Sequence, residues 1–215
     1  EYRRQRQMCI RDRNLTGGAS ITGTTGTLTG ALFALQSGNI SANLAGAGSL
    51  YKTTGGVVVL SGTNSYLGAT QISAGMLSLG GAGALSQTTN VTVSAGTLSI
   101  GAFDQTVASL SLSGAAQADG TTGALTASNF NVSSGSISAI LAGTGTLTKT
   151  TTSSVTLSGA NTYTGTTTVT AGTLTLNGGA AIVNTGSVTV TSPGILKLGA
   201  GETIGSLAGS GGVDL

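Results

Sequence analysis

The sequence has no histidine and no tryptophan, and it has one proline (Pro193) and one cysteine (Cys9) in 215 residues. A single cysteine cannot form an internal disulfide, and without histidine no Ser-His-Asp triad can be assembled. Charged residues make up only 7% of the chain, and no run approaches the roughly 18 apolar residues of a membrane-spanning helix. These absences argue against a disulfide scaffold, a serine hydrolase and a helical membrane protein.

The first thirteen residues differ in composition from the rest. Glu1–Arg13 (EYRRQRQMCIRDR) holds all five arginines and the cysteine. A basic tail of this kind is one way to bind nucleic acid or anionic lipid, but MCIRDR resembles translated sequencing-adapter DNA. We therefore set residues 1–13 aside as an artefactual or disordered tail and assign residues 14–215 to one domain. No signal peptide is visible and the chain stops in mid-pattern, so we interpret it as a fragment that continues beyond residue 215.

Without this tail the chain carries almost no charge. Its charged residues are three lysines and four acids: Lys52, Lys149, Lys197, Asp104, Asp119, Glu202 and Asp214. Such a chain has no basic surface for a phosphate backbone, so nucleic acid is not an expected partner. We also predict no cofactor and no metal site.

The body of the chain repeats itself after 97 residues. Ser37–Thr53 reads SGNISANLAGAGSLYKT, and Ser134–Thr150 reads SGSISAILAGTGTLTKT. The similarity continues without a gap through residues 60–79 and 157–176. A repeat of this kind indicates stacked structural units.

A finer spacing lies inside the repeat. The tripeptide Gly-x-Leu recurs at alternating intervals of 21–22 and 27 residues, which predicts about eight rungs. The leucines that end it are Leu28, Leu50, Leu77, Leu98, Leu125, Leu147, Leu174 and Leu196.

Between these leucines, apolar and small polar residues alternate, as in Val155-Thr-Leu157 and Leu174-Thr-Leu176. A period of two is typical of half-buried strands, and clusters of Gly, Asn and Ser separate them as turns require. Such short strands bury their apolar face only by stacking on the next coil. The sequence therefore predicts an all-β, single-stranded parallel β-helix (β-solenoid).

Two segments carry a recognisable motif. Leu50–Leu79 and Leu147–Leu176 contain L-x-K, then L-x-G-x-N-x-Y-x-G, then G-x-L-x-L. Both resemble the autotransporter-associated β-strand repeat, although residues 151–154 lack the usual glycine.

The resemblance implies a right-handed β-helix in the secreted passenger of a bacterial autotransporter, anchored at the outer membrane or released from the cell surface. It also implies a partner that this chain does not contain, the protein's own C-terminal β-barrel translocator. The expected role is structural, as a stalk. The alternative is an adhesin whose lateral face binds host glycans, matrix or other cells.

Four residues of the motif are candidate sites. Asn64 and Asn161 are predicted to cap turns by bonding backbone groups and to stack on a neighbouring rung. Tyr66 and Tyr163 are predicted to cover the rim of the core, with sugar stacking as the alternative.

The motif lysines and the threonines pose further alternatives. Alternation would turn Lys52 and Lys149 inward, where a lone charge is costly, so we expect the strand to end before each lysine and the amine to reach water. The threonines that flank the rung leucines are predicted to form a hydroxyl ladder. The alternative is an ice-binding array, but Tyr51, Met76 and other residues interrupt the threonines.

No catalytic site is predicted. The four acids lie far apart in sequence, and Asp104 aligns near Glu202 across the repeat without forming a pair. We therefore expect the protein not to be an enzyme. Unpaired strand edges on the last rung predict end-to-end self-association.

Overall fold

A computed structural model describes residues 13–15, 20–23, 26–199 and 201–215, and these residues form β-strands joined by turns. Residues 1–12 of the predicted tail lie outside the described residues. The strands are β1 (Arg13–Leu15), β2 (Ser20–Ile21), β3 (Thr27–Thr29), β4 (Leu32–Leu35), β5 (Gly38–Ile40), β6 (Asn43–Ala45), β7 (Ser49–Lys52), β8 (Val57–Leu60), β9 (Thr70–Ile72), β10 (Met76–Leu79), β11 (Asn90–Gly101), β12 (Gln105–Thr106), β13 (Ser109–Gly120), β14 (Ala124–Thr126), β15 (Asn129–Val132), β16 (Gly135–Ile137), β17 (Ile140–Ala142), β18 (Thr146–Lys149), β19 (Ser154–Leu157), β20 (Thr167–Val169), β21 (Thr173–Leu176), β22 (Ser187–Val190), β23 (Ile195–Leu198), β24 (Ser206–Gly209) and β25 (Gly212–Asp214).

All of the strand pairings are parallel, and each strand pairs with the strand about one coil away in sequence. The predicted all-β parallel solenoid is therefore confirmed. Within a strand such as β21, Leu174 and Leu176 are buried while Thr173 and Thr175 are partly exposed. The period-two pattern of the sequence is thus the inside-outside pattern of the coil.

Each coil has three faces. The first face runs through β1, β4, β7, β9, the start of β11, the start of β13, β15, β18, β20, β22 and β24. The second face runs through β2, β5, β8, β10, the ends of β11 and β13, β16, β19, β21, β23 and β25. The third face has only the short ladders β3–β6 and β12–β14–β17, and elsewhere it consists of turns.

The register of the first face gives the length of a coil. Successive partners are Phe33, Leu50, Thr70, Val91, Leu110, Phe130, Leu147, Thr167, Val188 and Leu207. A coil therefore takes 17 to 21 residues, and the solenoid makes about ten turns. At about 4.8 Å per coil, ten turns extend about 48 Å.

The predicted count of eight rungs is wrong. Phe33 and Phe130 are 97 residues apart and five coils apart, so the sequence repeat contains five coils and not four. The Gly-x-Leu leucines lie on different faces: Leu50 and Leu147 on the first, Leu28 and Leu125 on the third, and the other four on the second. An interval of 27 residues is therefore one coil plus the passage to another face.

The core is a narrow apolar column that runs through the coils. Seven of the eight Gly-x-Leu leucines are fully buried, and Leu28 packs against the core with partial exposure. The column is interrupted by a few buried polar side chains, among them Lys52, Asn64, Lys149 and Asn161. No helix among the described residues is long and apolar enough to span a membrane.

Candidate functional site: side-chain clamps between coils

The lysine of each motif closes a corner between the first and second faces. Lys149 is the last residue of β18, and its side chain is fully buried between Val132 and Val169 of the adjacent coils. Its Nζ donates hydrogen bonds to the Thr151 carbonyl, to Thr151 Oγ1 at 3.2 Å and to the Ala171 carbonyl at 3.2 Å. Because Ala171 lies on the next coil, the lysine ties two coils together.

The first copy has the same arrangement. Lys52 is fully buried at the end of β7, and its Nζ donates to the Thr54 carbonyl and, at 3.1 Å, to the Ala74 carbonyl of the next coil. Thr54 Oγ1 in turn donates to the Gln36 carbonyl of the preceding coil at 2.9 Å. Lysine and threonine together therefore connect three successive coils.

The expectation that each lysine marks a solvated strand end is wrong. The lysine belongs to the strand, alternation turns it inward, and backbone carbonyls satisfy the amine that water would otherwise hydrate. Burial disfavours the charged form, so desolvation lowers the pKa of both Lys52 and Lys149 below the usual value for lysine.

Glycine completes the corner. Gly75 and Gly172 have φ of +68° and +64°, a conformation that residues with a β-carbon seldom adopt. A β-carbon on Gly75 would lie 2.7 Å from Lys52 Nζ and would overlap the Thr54 carbonyl oxygen. The glycine thus lets the next coil bring its carbonyl up to the amine.

The motif asparagine clamps the third face. Asn161 is 4% exposed. Its Oδ1 accepts a hydrogen bond from the Leu141 N–H of the preceding coil at 2.7 Å, and its Nδ2 donates to the Ala181 carbonyl of the next coil at 2.7 Å. Asn64 repeats the geometry with Leu44 at 2.6 Å and Ala84 at 2.5 Å. Each asparagine therefore bonds backbone groups about 20 residues away on either side. A turn cap, in contrast, would bond the backbone of its own turn.

The motif tyrosine is wholly internal. Tyr66 and Tyr163 are both 0% exposed. The ring of Tyr163 packs against Phe130 of the preceding coil, with ring centroids 5.9 Å apart, and its hydroxyl lies 2.6 Å from Thr167 Oγ1. Tyr66 has the same hydroxyl contact with Thr70 at 2.6 Å.

This burial corrects the sequence interpretation of the tyrosines and fixes their electrostatics. Neither ring covers a rim or presents a face on which a sugar could stack, because both are enclosed by the core. Burial raises the pKa of the Tyr163 hydroxyl to about 12, and the nearby negative charge of Glu202 adds to this effect. Burial also raises the pKa of Tyr66, although hydrogen bonds from Thr70 and other neighbours oppose it.

A further clamp was not predicted. Gln105 is 2% exposed, its Oε1 accepts from the Leu85 N–H at 3.1 Å, and its Nε2 donates to the Gly81 carbonyl at 2.9 Å. Glu202 lies 97 residues later and accepts from the Ala181 N–H at 2.9 Å. Adding the 97-residue offset of the repeat to Gln105, and not to Asp104, gives Glu202, so the sequence could have predicted this pair.

The two members of this pair differ in one respect. The second amide atom of Gln105 is hydrogen-bonded, whereas Glu202 Oε2 is buried and has no hydrogen-bond partner among the described residues. Asp104, which the sequence comparison aligned near Glu202, lies at the surface and accepts from the Ala124 N–H at 2.9 Å. Among the described residues, no three His, Cys, Asp or Glu side chains are grouped to hold a metal ion.

Comparison with protein families places these clamps in a known repeat. Residues 50–79 and 140–176 match the model of the passenger-associated-transport-repeat. The two matched segments together cover 67 of the 215 residues. The resemblance found in the sequence is thereby confirmed, and the family indicates a passenger segment of an autotransporter. No curated protein and no solved structure matches the chain.

The geometry explains the residues that mark the repeat. In the first matched segment, Lys52, Asn64 and Tyr66 all lie on the single coil that starts at Leu50. In the second, Lys149, Asn161 and Tyr163 lie on the coil that starts at Leu147. The polar positions of the motif are therefore the clamps of one coil in every five.

Proposed function

We propose that this chain is a rigid stalk segment of an autotransporter passenger, displayed at the bacterial outer-membrane surface and holding a distal region away from the cell. The observation that carries the proposal is the continuity of the solenoid. Two sheet faces run through about ten turns, and side-chain clamps join successive coils. A rod of this kind sets a fixed distance, which is what a spacer does.

The proposal includes the partner and the location that the family implies. In the full protein a C-terminal translocator carries the passenger across the outer membrane, so the segment is secreted or held at the cell surface. Export can be tested by expressing the passenger with and without its translocator and digesting intact bacteria with protease. Loss of the segment from intact cells only when the translocator is present supports display.

We also propose that the segment has no enzymatic activity. Support comes from the dispersal of its acids: Asp104 bonds a backbone N–H at the surface, Glu202 bonds another at a partly buried position, and Asp214 pairs with Lys197 at 3.4 Å. Glycoside hydrolysis, for example, needs two carboxylates that flank the scissile bond.

The stalk role is tested by changing the length of the rod by one repeat. Removing residues 37–133 joins Gln36 to Ser134, which follows the same pattern as Ser37, and so it deletes five whole coils in register. We expect small-angle X-ray scattering to give a maximum dimension shorter by about 24 Å with the fold retained. As a matched control, removing residues 37–123 joins Gln36 to a third-face residue and should disrupt the coil.

An adhesin is the second candidate, and the outward side of the first face favours it. Seven successive coils present an uncharged polar row: Gln71, Thr92, Ser111, Asn131, Thr148, Thr168 and Thr189. Hydroxyl and amide groups at about 4.8 Å spacing suit a glycan, a matrix protein or a second rod. Ice binding needs an unbroken threonine array, but Gln71, Ser111 and Asn131 interrupt the threonines of this row.

The two candidates separate in a binding assay with this chain alone. A stalk should bind neither host cells nor matrix, and Thr168→Lys should change nothing. An adhesin should bind, and Thr168→Lys should weaken binding because it places a charge in the middle of the row. End-to-end self-association, expected from unpaired strand edges, is measured separately by sedimentation velocity over a range of concentrations.

A further inference from the structure

The corner that holds each lysine is longer than the corners around it. Four residues connect the first and second faces at this corner, residues 53–56 in one repeat and 150–153 in the other. Only two residues make the same connection on the preceding coils, 36–37 and 133–134. The extra residues bring backbone carbonyls to the inside of the corner, where Thr54 and Thr151 meet the lysine amine.

The Lys149 amine donates hydrogen bonds to three acceptor atoms. Two are the carbonyl oxygens of Thr151 and Ala171. The third is Thr151 Oγ1, whose single hydrogen is donated to the Ser133 carbonyl, so it offers Lys149 only a lone pair. Three acceptors match the three N–H groups of an ammonium ion, whereas a neutral amine would turn its own lone pair toward one of them.

In the part of the chain that the structure describes, no acidic side chain forms an ion pair with Lys52 or Lys149. The one ion pair among the described residues joins Lys197 to Asp214, both at the surface. Around Lys52 and Lys149 the charge meets only backbone carbonyl and hydroxyl oxygens. Neutral oxygen dipoles replace the hydration shell in the same way around cations that bind to rings of backbone carbonyls.

We propose that each of these corners is a binding site for a primary ammonium ion, and that the chain supplies the ion itself through Lys52 in one repeat and Lys149 in the other. The proposal does not depend on the stalk function. It has a specific consequence: when Lys149 is replaced by alanine, the atoms removed from Cγ to Nζ correspond to propylammonium. The emptied site should therefore bind n-propylammonium from solution.

The test uses the full chain carrying Lys149→Ala, with unfolding followed by circular dichroism as n-propylammonium chloride is added. We expect the variant to be less stable than the wild type and to regain stability with the logarithm of the added ion. A concentration ten times the dissociation constant should raise the folding equilibrium constant about elevenfold. The wild type and Lys197→Ala, which alters an exposed lysine, should not respond beyond the effect of equal sodium chloride.

Three additives separate the possible causes of a response. 1-Propanol has the same length without charge, tetramethylammonium has the charge without N–H groups, and sodium chloride controls ionic strength. Stabilisation by n-propylammonium alone supports the proposal. Equal stabilisation by 1-propanol shows that the site only needs its volume filled and overturns it, as does the absence of any response.

A measurement on the wild type covers the case in which Lys149→Ala fails to fold at every additive concentration. Side-chain ¹H–¹⁵N NMR detects lysine ammonium groups whose hydrogens exchange slowly with water. We expect two such signals, each lost when Lys52 or Lys149 is changed to methionine, and none from Lys197. If the buried lysines give no ammonium signal while the protein is folded, the proposal is wrong.

Discussion

Replacing Asn161 by alanine is the most direct test of the clamp. The substitution removes the side chain that links Leu141 and Ala181, which lie on the coils on either side of it. The backbone hydrogen bonds of the flanking sheet faces stay in place. A loss of stability would therefore report on the clamp itself.

The expected cost follows from the two hydrogen bonds. The Leu141 N–H and the Ala181 carbonyl both lose a partner at a position that is 4% exposed in the wild type. A buried polar group without a partner costs about 1–3 kcal/mol. We expect a decrease of about 2–4 kcal/mol in the free energy of unfolding, because water admitted to the vacated space can satisfy part of the loss.

Urea denaturation measures the overall change, and amide hydrogen exchange at Leu141 measures the local one. Asn131→Ala is the matched control, because Asn131 is exposed and its Nδ2 donates to the Oδ1 of the neighbouring Asn129 at 3.1 Å; we expect a change below about 0.5 kcal/mol. Asn161→Asp keeps the acceptor for Leu141 but turns a carboxylate oxygen toward the Ala181 carbonyl. It should therefore cost more than alanine at neutral pH.

The equivalent residue gives an internal check. Asn64→Ala should cost about as much as Asn161→Ala, and the double variant should show the sum of the two costs within about 0.5 kcal/mol, because the sites are five coils apart. The reasoning is refuted if Asn161→Ala destabilises no more than Asn131→Ala, or if Leu141 exchange is unchanged. Either result would mean that the sheet faces alone hold the coils together.

Four further predictions use the buried polar groups. Glu202→Gln should raise the free energy of unfolding by about 1–2 kcal/mol, since the amide can donate as Gln105 does, and Gln105→Glu should lower it; urea titration of both variants checks the sign. Tyr163→Phe should cost about 1–2 kcal/mol by leaving the Thr167 hydroxyl without its phenol partner, and an unchanged midpoint would contradict this. The folded pKa of Tyr163 is about 12, above the unfolded value of 10, so the unfolded chain loses its proton first and this residue should lower stability by roughly 3 kcal/mol from pH 10 to 12; Tyr163→Phe should remove that part of the fall and leave the part that is due to Tyr66. Burial lowers the folded pKa of Lys149, so below about pH 10 the unfolded chain holds more protons and this lysine should make stability rise with pH; Lys149→Met should reduce that rise in urea titrations at each pH and leave the part that is due to Lys52.

The candidate site was only partly predictable. Asn161 was expected to bond backbone groups, and it does, but its partners lie 20 residues away on either side. Local sequence shows that an asparagine follows Ser-Gly-x. It does not show which carbonyl of another coil comes within hydrogen-bond distance. The prediction for Lys149 was wrong for the same reason. The Ala171 carbonyl oxygen that makes burial of the lysine possible lies 22 residues further along the chain.

The sequence by itself determined the fold class and the long repeat. Alternation of apolar and polar residues is a local property that distinguishes a strand's two faces, and a match of Ser37–Thr53 to Ser134–Thr150 requires the same structure at both places. Only the tertiary structure decided how many coils the repeat contains and what its polar residues contact. The tripeptide Gly-x-Leu occurs on all three faces of the coil, so it does not identify the face on which its leucine lies. A buried amine or amide bonds to the coil stacked above or below it, and the residue that it meets there depends on the register between the coils.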